Sequence, residues 1–271
     1  MRFTWAKIRL SLFDRLAFRW SFAFEIFSTC SMLFIFLLID RFQGGLLGDR
    51  LQSASAKLGT SYFGYVTVGL AVSALSSVSL GGVLGQFHEE KRLRTLPLVL
   101  CAPLSLWRWA LAAGAANFLR AVFQCMLIFS LAVGVLGLQL PAFSPGLALL
   151  VILVSLPSLW ALSVLSLAVA LLIRRGDPLG FVLGISLEIL GGVYVPLDVL
   201  PPAARTFSQA IPLGPSLTAM HAVLSGGARL QEISPQLGIL ALLAVIYVPL
   251  AFLLLRWADQ RARLNGNYFV S

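Results

Sequence analysis

Long apolar runs constrain this chain more than any other feature of its sequence. A bilayer core about 30 Å thick takes a helix of about 20 apolar residues, and six runs reach or approach that length. They cover residues 21–39, 60–85, 106–138, 147–173, 179–195 and 236–256. Because 59% of the 271 residues are hydrophobic and 11% are charged, little polar sequence remains for a soluble domain. We therefore predict one all-α integral membrane domain over residues 1–271, with six transmembrane helices.

The distribution of Lys and Arg predicts which side of the membrane each connecting segment faces. With both termini inside, the cytoplasmic segments carry 14 of the 20 Lys and Arg residues, and the external segments carry five. Positive residues concentrate on the cytoplasmic side of membrane proteins. We predict a multi-pass protein of the cell inner (plasma) membrane with both termini cytoplasmic. The same bias accounts for the net charge of +9, so nucleic-acid binding is not expected.

Three segments outside the spans have patterns of their own. Residues 1–20 combine a polar stripe with aromatic and aliphatic side chains, which predicts an interfacial helix, although a simple basic anchor explains them equally well. Residues 86–105 contain a short charged connector between two spans, where a cytoplasmic helix is expected. Residues 196–234 are too broken by proline to span and too apolar for a free loop. They predict an external hairpin of two short helices that re-enter the outer leaflet.

Three ionisable side chains fall inside the predicted spans: Glu25, Arg120 and Glu188. Such a side chain costs a few kcal/mol at membrane depth, so it usually faces protein or water. We interpret the three as candidates for a transport path. The alternative for Glu188 is a buried glutamate, protonated or bonded across a helix interface. An ion pair between Arg120 and Glu188 is geometrically possible.

Small residues recur near helical spacing along the fifth predicted span, on the face that carries Glu188. They are Gly180, Gly184, Gly191 and Gly192. Glycine stripes allow two helix backbones to approach closely. We therefore predict that this span packs on another helix. The same span in a second copy of the chain, within a dimer, is one candidate for that helix.

Catalytic and metal-binding motifs are absent from the sequence. It contains no H-E-x-x-H zinc pattern, no G-x-S-x-G elbow and no phosphate-binding loop. The two histidines, His88 and His221, fall on opposite sides of the predicted membrane and cannot share a metal. We expect a protein that is not an enzyme and that holds no metal or cofactor of its own.

One stretch of the connector resembles the permease subunits of type-2 ABC transporters, which are exporters. It runs from Glu90 to Ser105 and is similar to the coupling helix of that family and its exit. The matching residues are Thr95-Leu96, Leu100 and Ala102-Pro103-Leu104-Ser105. Two positions depart from the family pattern, because Arg94 stands where the family often has Gly and Pro97 where it often has Glu.

A second stretch resembles the fifth span and external hairpin of the same family. The matching residues are Gly191-Gly192-Val193-Tyr194-Val195-Pro196-Leu197, Leu200-Pro201 and Ile211-Pro212-Leu213. Each stretch alone is moderately specific for the family. Together, in this order and at this separation, they extend the resemblance over essentially the whole chain.

The resemblance implies a partner that supplies energy. Two permease chains would pair, with a homodimer favoured and a heterodimer left open. Two ABC ATPase subunits would bind ATP and Mg and would dock on the cytoplasmic side of the permease chains. The connector would transmit ATPase movement through Glu89, Glu90, Lys91, Arg92, Arg94, Thr95 and Leu96. The alternative for the basic residues is that they only enforce topology. Which of the two glutamates contacts the ATPase is open.

The resemblance also places the substrate path between the two chains, lined mainly by the first, second and fifth spans. These spans are mostly apolar, with serines on the second at Ser73, Ser76, Ser77 and Ser79. A hydrophobic or amphipathic cargo is expected, such as a drug, a lipid-like metabolite or a lipid-linked glycan. The alternatives are an ATP-independent membrane carrier or channel and a membrane assembly factor.

Overall fold

The computed structural model describes eight stretches of the chain: residues 19–42, 61–77, 82–95, 105–138, 144–173, 188–194, 201–225 and 229–264. They contain eight α-helices, a further helical turn over residues 188–191 and, over these stretches, no β-strand. The helices are α1 (Arg19–Arg41), α2 (Tyr62–Ser77), α3 (Val83–Arg92), α4 (Leu106–Gly134), α5 (Pro145–Ile173), α6 (Pro202–Ala210), α7 (Leu213–Ser225) and α8 (Leu230–Leu264). The all-α class is as predicted.

Four helices in the described ranges are long and apolar enough to cross a membrane. Their apolar segments are Ala23–Arg41, Leu106–Gly134, Pro145–Leu172 and Leu230–Leu264. These coincide with the first, third, fourth and sixth predicted spans. The second predicted span contains the shorter helix α2, and residues 188–194 are the only described part of the fifth. Four spans are supported by length and composition, and the total of six stays a prediction.

Helix α2 lies inside the bundle, although its sequence is as apolar as that of a lipid-facing helix. Every side chain from Tyr62 to Leu75 is buried, and the helix contacts α1, α4 and α7. Its polar side chains, which include Thr67 and Ser73, therefore face protein. This position makes α2 the element on which the polar site described below is built.

Helices α1 and α8 lie at the periphery of the bundle. On α1, Phe24 and Phe27 are 72% and 69% exposed. On α8, which packs mainly against α5, Val245 and Leu253 are 71% and 63% exposed. Apolar exposure on this scale marks a surface that contacts lipid or another protein. The exposed faces of α1 and α8 fit a multi-pass membrane protein.

Two hydrophobic clusters divide the interior along the length of the bundle. The first joins α2 and α7 with the C-terminal part of α4. The second joins α3 with the N-terminal part of α4, with α5 and with the C-terminal part of α8, around Trp109. Each cluster supports one of the two candidate sites.

The three predicted flanking segments are described to different extents. Residues 1–18, most of the predicted interfacial helix, lie outside the described residues. Helix α3 overlaps the predicted connector at 86–105 but begins earlier, because Val83, Leu84 and Phe87 are buried against the second cluster. Two short helices, α6 and α7, lie within 196–234. Their depth in a membrane stays a prediction.

Candidate functional site

One face of α2 holds the segment 188–194 through side-chain hydrogen bonds. Tyr62 and Tyr65 are three residues apart, so both point to the same side of the helix. The hydroxyl of Tyr65 donates to the carbonyl oxygen of Gly192 at 2.6 Å, and that of Tyr62 donates to the carbonyl oxygen of Tyr194 at 3.2 Å. These bonds satisfy carbonyl groups at the end of a helical turn, which have no partner within the turn itself.

Gly69 brings α2 into direct backbone contact with the same segment. A Cβ atom at this position would lie 2.4 Å from the carbonyl oxygen of Val193, closer than any atom can sit without moving the backbone. Gly192 has a φ of +86°, and the amide of Val193 donates to the carbonyl of Glu188 at 3.1 Å. Gly192 therefore ends the helical turn over 188–191 with the left-handed residue that glycine adopts most easily.

The carboxylate of Glu188 is held on both oxygens by hydroxyl donors. Ser73, on the same face of α2, donates to Oε1 at 2.8 Å, and Tyr194 donates to Oε2 at 3.0 Å. Glu188 is half-buried, and the two hydroxyl donors fix the position of its side chain between α2 and Tyr194. Among the described residues Glu188 bonds with these two hydroxyls rather than with Arg120.

A cleft of about 260 Å³ opens at this carboxylate, between α1, α2, α4 and residues 188–194. Apolar side chains such as Met32 and Ile128 form part of its wall. Its polar lining consists of Ser28, Thr29, Ser73, Gln124, Glu188 and Tyr194. A polar cleft with one carboxylate inside an otherwise apolar bundle can bind a group that donates hydrogen bonds or carries positive charge.

The other two intramembrane candidates lie apart from this cleft. Glu25 is on α1 and half-buried, and Arg120 is on α4 and half-buried. Neither belongs to the cleft lining, whereas Gln124, one turn beyond Arg120 on α4, does. The structure thus brings Glu188 together with polar residues from three other elements, and it leaves the roles of Glu25 and Arg120 as predictions.

The predicted glycine stripe is described only at its C-terminal end. Gly180 and Gly184 lie outside the described residues. A Cβ atom on Gly191 would come within 2.7 Å of the Leu213 side chain, so Gly191 packs against α7 within one chain. Gly192 ends the helical turn. A contact of this stripe with a second copy of the chain stays a prediction.

The second candidate site is the exposed end of α3, where the charged connector emerges. Glu89 and Arg92 are bonded through both oxygens, at 2.6 and 2.9 Å. The hydrogen bonds from Arg92 hold the pKa of Glu89 below its usual value. Both side chains stay exposed, so this pair shapes the surface of the connector and does not join it to another helix.

Glu90, in contrast, joins α3 to α4. Its carboxylate accepts from the indole Nε1 of Trp109 at 3.1 and 3.2 Å, and Trp109 is 1% exposed. The ring of Phe87 packs edge-on against Trp109, with centroids 6.1 Å apart. A displacement of α3 would therefore act directly on the first turns of α4.

Helix α3 ends in a tight turn formed by a residue that rarely adopts this conformation. Arg94 has a φ of +56°. Its amide donates to the carbonyl of Lys91 at 3.1 Å, and the amide of Thr95 donates to that of Glu90 at 3.0 Å. This pair of bonds defines a Schellman ending, in which the left-handed position is usually glycine. This geometry gives a physical reason why the family that the chain resembles often has Gly at the position of Arg94. Leu96 lies outside the described residues.

The sequence analysis did not find several residues that build the Glu188 site. Thr29, Gln124 and the hydroxyl of Tyr194 all contribute to its polar lining. No short-range signal marks them, because hydroxyl and amide side chains are common in apolar helices. Within the described ranges no three His, Cys, Asp or Glu side chains come close enough together to hold a metal ion.

The match to a family model covers the connector site and the Glu188 site apart from the residues of α1 that line its cleft. The model described as "ABC-2 family transporter protein" matches residues 50–253, which is more than half of the chain. The matched range includes α2, the connector helix α3, Glu188 and the two short helices α6 and α7. No curated protein matches the chain.

Proposed function

Because the chain belongs to the ABC-2 family of transporter proteins, we propose that it forms one half of a dimeric export path driven by a separate ATPase. Membership makes the chain a transmembrane component of an ABC transporter, with no catalysis of its own. Permeases of this family generally work with an ATPase subunit. The proposal adds export, two ATPase copies that bind ATP and Mg, a second copy of this chain, and a hydrophobic or amphipathic cargo.

The observation that carries the proposal is the cleft at Glu188. It borders α1, α2 and residues 188–194, the parts of the chain expected to line the path. Its volume of about 260 Å³ lies below the range of about 300–1,000 Å³ typical of sites for drug-sized ligands. A cleft of this small size is expected if one chain forms only half of the path and a second chain completes it. Its mixed lining suits a cargo with both apolar and polar parts.

Helix α4 offers a mechanical route between the connector and the cleft. Trp109, near its start, holds Glu90 of α3, and Gln124 lines the cleft. The two residues are 15 positions apart, about 22 Å along a helix. We propose that the ATPase pushes α3 and that α4 carries this movement to the cleft. Of the two connector glutamates, Glu89 is then the one available at the surface for ATPase contact.

Purification from native membranes tests the proposal. Isolated in mild detergent, the full chain should retain an ABC ATPase in roughly equal amount, and native mass spectrometry should show two copies of each. Reconstituted into vesicles, this complex should move a fluorescent amphipathic dye only with ATP and Mg. Dye movement by the chain alone would instead establish the ATP-independent carrier.

A single substitution tests the route through α4. Glu90→Gln keeps the side-chain shape and removes its charge, which weakens the bond to Trp109. We expect the ATPase to remain bound while dye movement per ATP hydrolysed falls severalfold. Glu232→Gln is the matched control, because it makes the same change at an exposed residue in the first turn of α8, away from the connector. Equal coupling in both variants would remove the route.

A further inference from the structure

A groove at the other end of the bundle from the Glu188 cleft has the properties of a lipid-binding site. It has a volume of about 400 Å³ and lies between the first turn of α4 and the C-terminal part of α8. Arg108 of α4 and Arg256 of α8 both line it, together with Trp107 and Phe252. Both arginines belong to segments that the charge bias places on the cytoplasmic side.

The two guanidinium groups have no counter-charge supplied by the part of the chain that the structure describes. Neither Arg108 nor Arg256 forms a side-chain hydrogen bond or ion pair with another described residue. The one carboxylate in the lining, Asp259, bonds at 2.8 Å to Arg263, one turn further along α8. The groove thus presents two exposed positive groups to an incoming anion, and its acidic residue already has a cationic partner.

The groove lies where the surface of α8 changes from apolar to charged. Leu250 and Leu253 are exposed, and Arg256 follows within one turn of Leu253. Trp107 packs edge-on against Phe252, with ring centroids 5.0 Å apart. Aromatic side chains beside arginine at the end of a spanning helix mark the headgroup level of a membrane. A molecule in the groove would have one end against the apolar face of α8 and the other between the arginines.

We propose that this groove binds the phosphate headgroup of an anionic phospholipid from the adjacent leaflet. Guanidinium groups bind phosphate oxygens in pairs of parallel hydrogen bonds, and basic pockets between transmembrane helices on the cytoplasmic side take anionic headgroups. Continuity with the exposed apolar side of α8 favours a lipid over a protein partner, because Phe252 lines the groove and is 39% exposed, and its neighbour Leu253 is 63% exposed. The site does not depend on the export function.

Lipid competition in bilayers of defined composition tests the site. The full chain, with any bound ATPase, is placed in nanodiscs of phosphatidylcholine containing one fifth phosphatidylglycerol, and the lipid retained per chain is counted by native mass spectrometry. Two arginines near the surface should give a preference for phosphatidylglycerol of about 30-fold. The variant Arg108→Gln/Arg256→Gln should bind the two lipids about equally, and each single variant should lose part of the preference for phosphatidylglycerol.

A control variant separates the groove from overall charge. Arg205→Gln/Arg229→Gln removes the same charge. Arg229 lies just before the start of α8 and 27 positions before Arg256, about 40 Å along the helix axis. This control should keep the full preference, and the thermal unfolding of both double variants should match the original chain. A similar loss of preference in the control would overturn the site, since it would show general attraction to an anionic bilayer.

Two further outcomes would also contradict the proposal. Displacement of the retained phosphatidylglycerol by millimolar inorganic phosphate would identify a site for small anions. Unchanged lipid preference with loss of ATPase retention in Arg108→Gln/Arg256→Gln would identify a protein contact. Insensitivity to phosphate together with loss of the preference in that variant supports the lipid site.

Discussion

At the scale of single residues, each candidate site contains a polar residue whose environment or backbone conformation is energetically unfavourable. The carboxylate of Glu188 lies within an apolar bundle and is stabilised by hydroxyls from Ser73 and Tyr194. Arg94 adopts a left-handed backbone conformation that disfavours any side chain. Such costs persist where the surrounding structure fixes them, and they often accompany function.

Replacing Glu188 with Gln tests whether its charge serves transport. The amide keeps the shape and one acceptor oxygen, so we expect assembly to survive with a small change in thermal unfolding. Dye movement should fall about tenfold or more, because a charge inside an otherwise apolar bundle interacts strongly with a bound group. The measurement is ATP-driven dye uptake by the reconstituted complex.

Ser73→Ala is the matched control for this charge. It removes one donor to the same carboxylate and costs about 1–3 kcal/mol of stability, while the charge remains. Transport should therefore survive in Ser73→Ala despite its lower unfolding temperature. If Glu188→Gln instead prevents assembly, the carboxylate has a packing role, and the path interpretation of this residue is wrong.

Replacing Arg94 with Gly separates the backbone turn from the positive charge. Glycine adopts a φ of +56° without strain, so the end of α3 should gain about 1 kcal/mol. Amide exchange in the peptide around Thr95, whose N–H closes the turn, should slow about fivefold. Arg94→Ala removes the same charge and retains the strain, so its exchange should stay close to that of the original chain. Equal exchange in all three proteins would refute the strained turn.

At the scale of helices, the apolar runs predicted where elements lie better than which way they face. In a membrane, lipid and protein are about equally apolar surroundings, so no polar stripe separates the buried face from the exposed one. Helix α2 is buried on all sides while α1 is mostly exposed, yet both read as uniform apolar runs. Gly191 and Gly192 were similarly ambiguous, since adjacent glycines fit a packing stripe and a helix ending equally well.

Gly69→Ala tests the backbone contact between α2 and the segment 188–194. The added methyl group would lie 2.4 Å from the carbonyl oxygen of Val193, and relieving this clash requires a shift of the backbone. We expect a loss of about 1–3 kcal/mol and a fall in unfolding temperature of several degrees. Thermal unfolding of the purified chain in detergent measures it.

The matched control for Gly69 is Gly85 on α3. A Cβ atom there would meet nothing within 4 Å, so Gly85→Ala should gain about 0.5–1 kcal/mol from reduced backbone freedom. The two substitutions are chemically the same and should have opposite signs. A stabilising Gly69→Ala would show that α2 and 188–194 do not approach so closely.

At the scale of the whole molecule, the sequence located both candidate sites but could not assemble them. An ionisable residue in an apolar run stands out without any structure, which is how Glu188 was found. Its partner Ser73 is 115 positions away, and Gln124 comes from a third helix, so their convergence depends on tertiary packing. The link from Glu90 to Trp109 was missed for the same reason, although only 19 positions separate the two residues.

Charge reversal on the connector tests whether the whole assembly is driven through α3. The connector has three basic residues, Lys91, Arg92 and Arg94, and Arg92 is best left unchanged. A glutamate at position 92 would lie beside Glu89, to which Arg92 is now bonded, and the repulsion would disturb the helix itself. The sharper variant is therefore Lys91→Glu/Arg94→Glu, which leaves that ion pair intact. We expect ATPase retention to fall about tenfold at low salt, because like charges facing each other at an interface slow association and weaken binding, and the defect should shrink in 0.5 M NaCl.

The control Arg205→Glu/Arg229→Glu, at the far end of the bundle, should bind the ATPase normally. Unchanged retention and an unchanged coupled ATPase rate in the connector variant would mean that Lys91 and Arg94 only set topology, and the energy would have to enter the chain elsewhere.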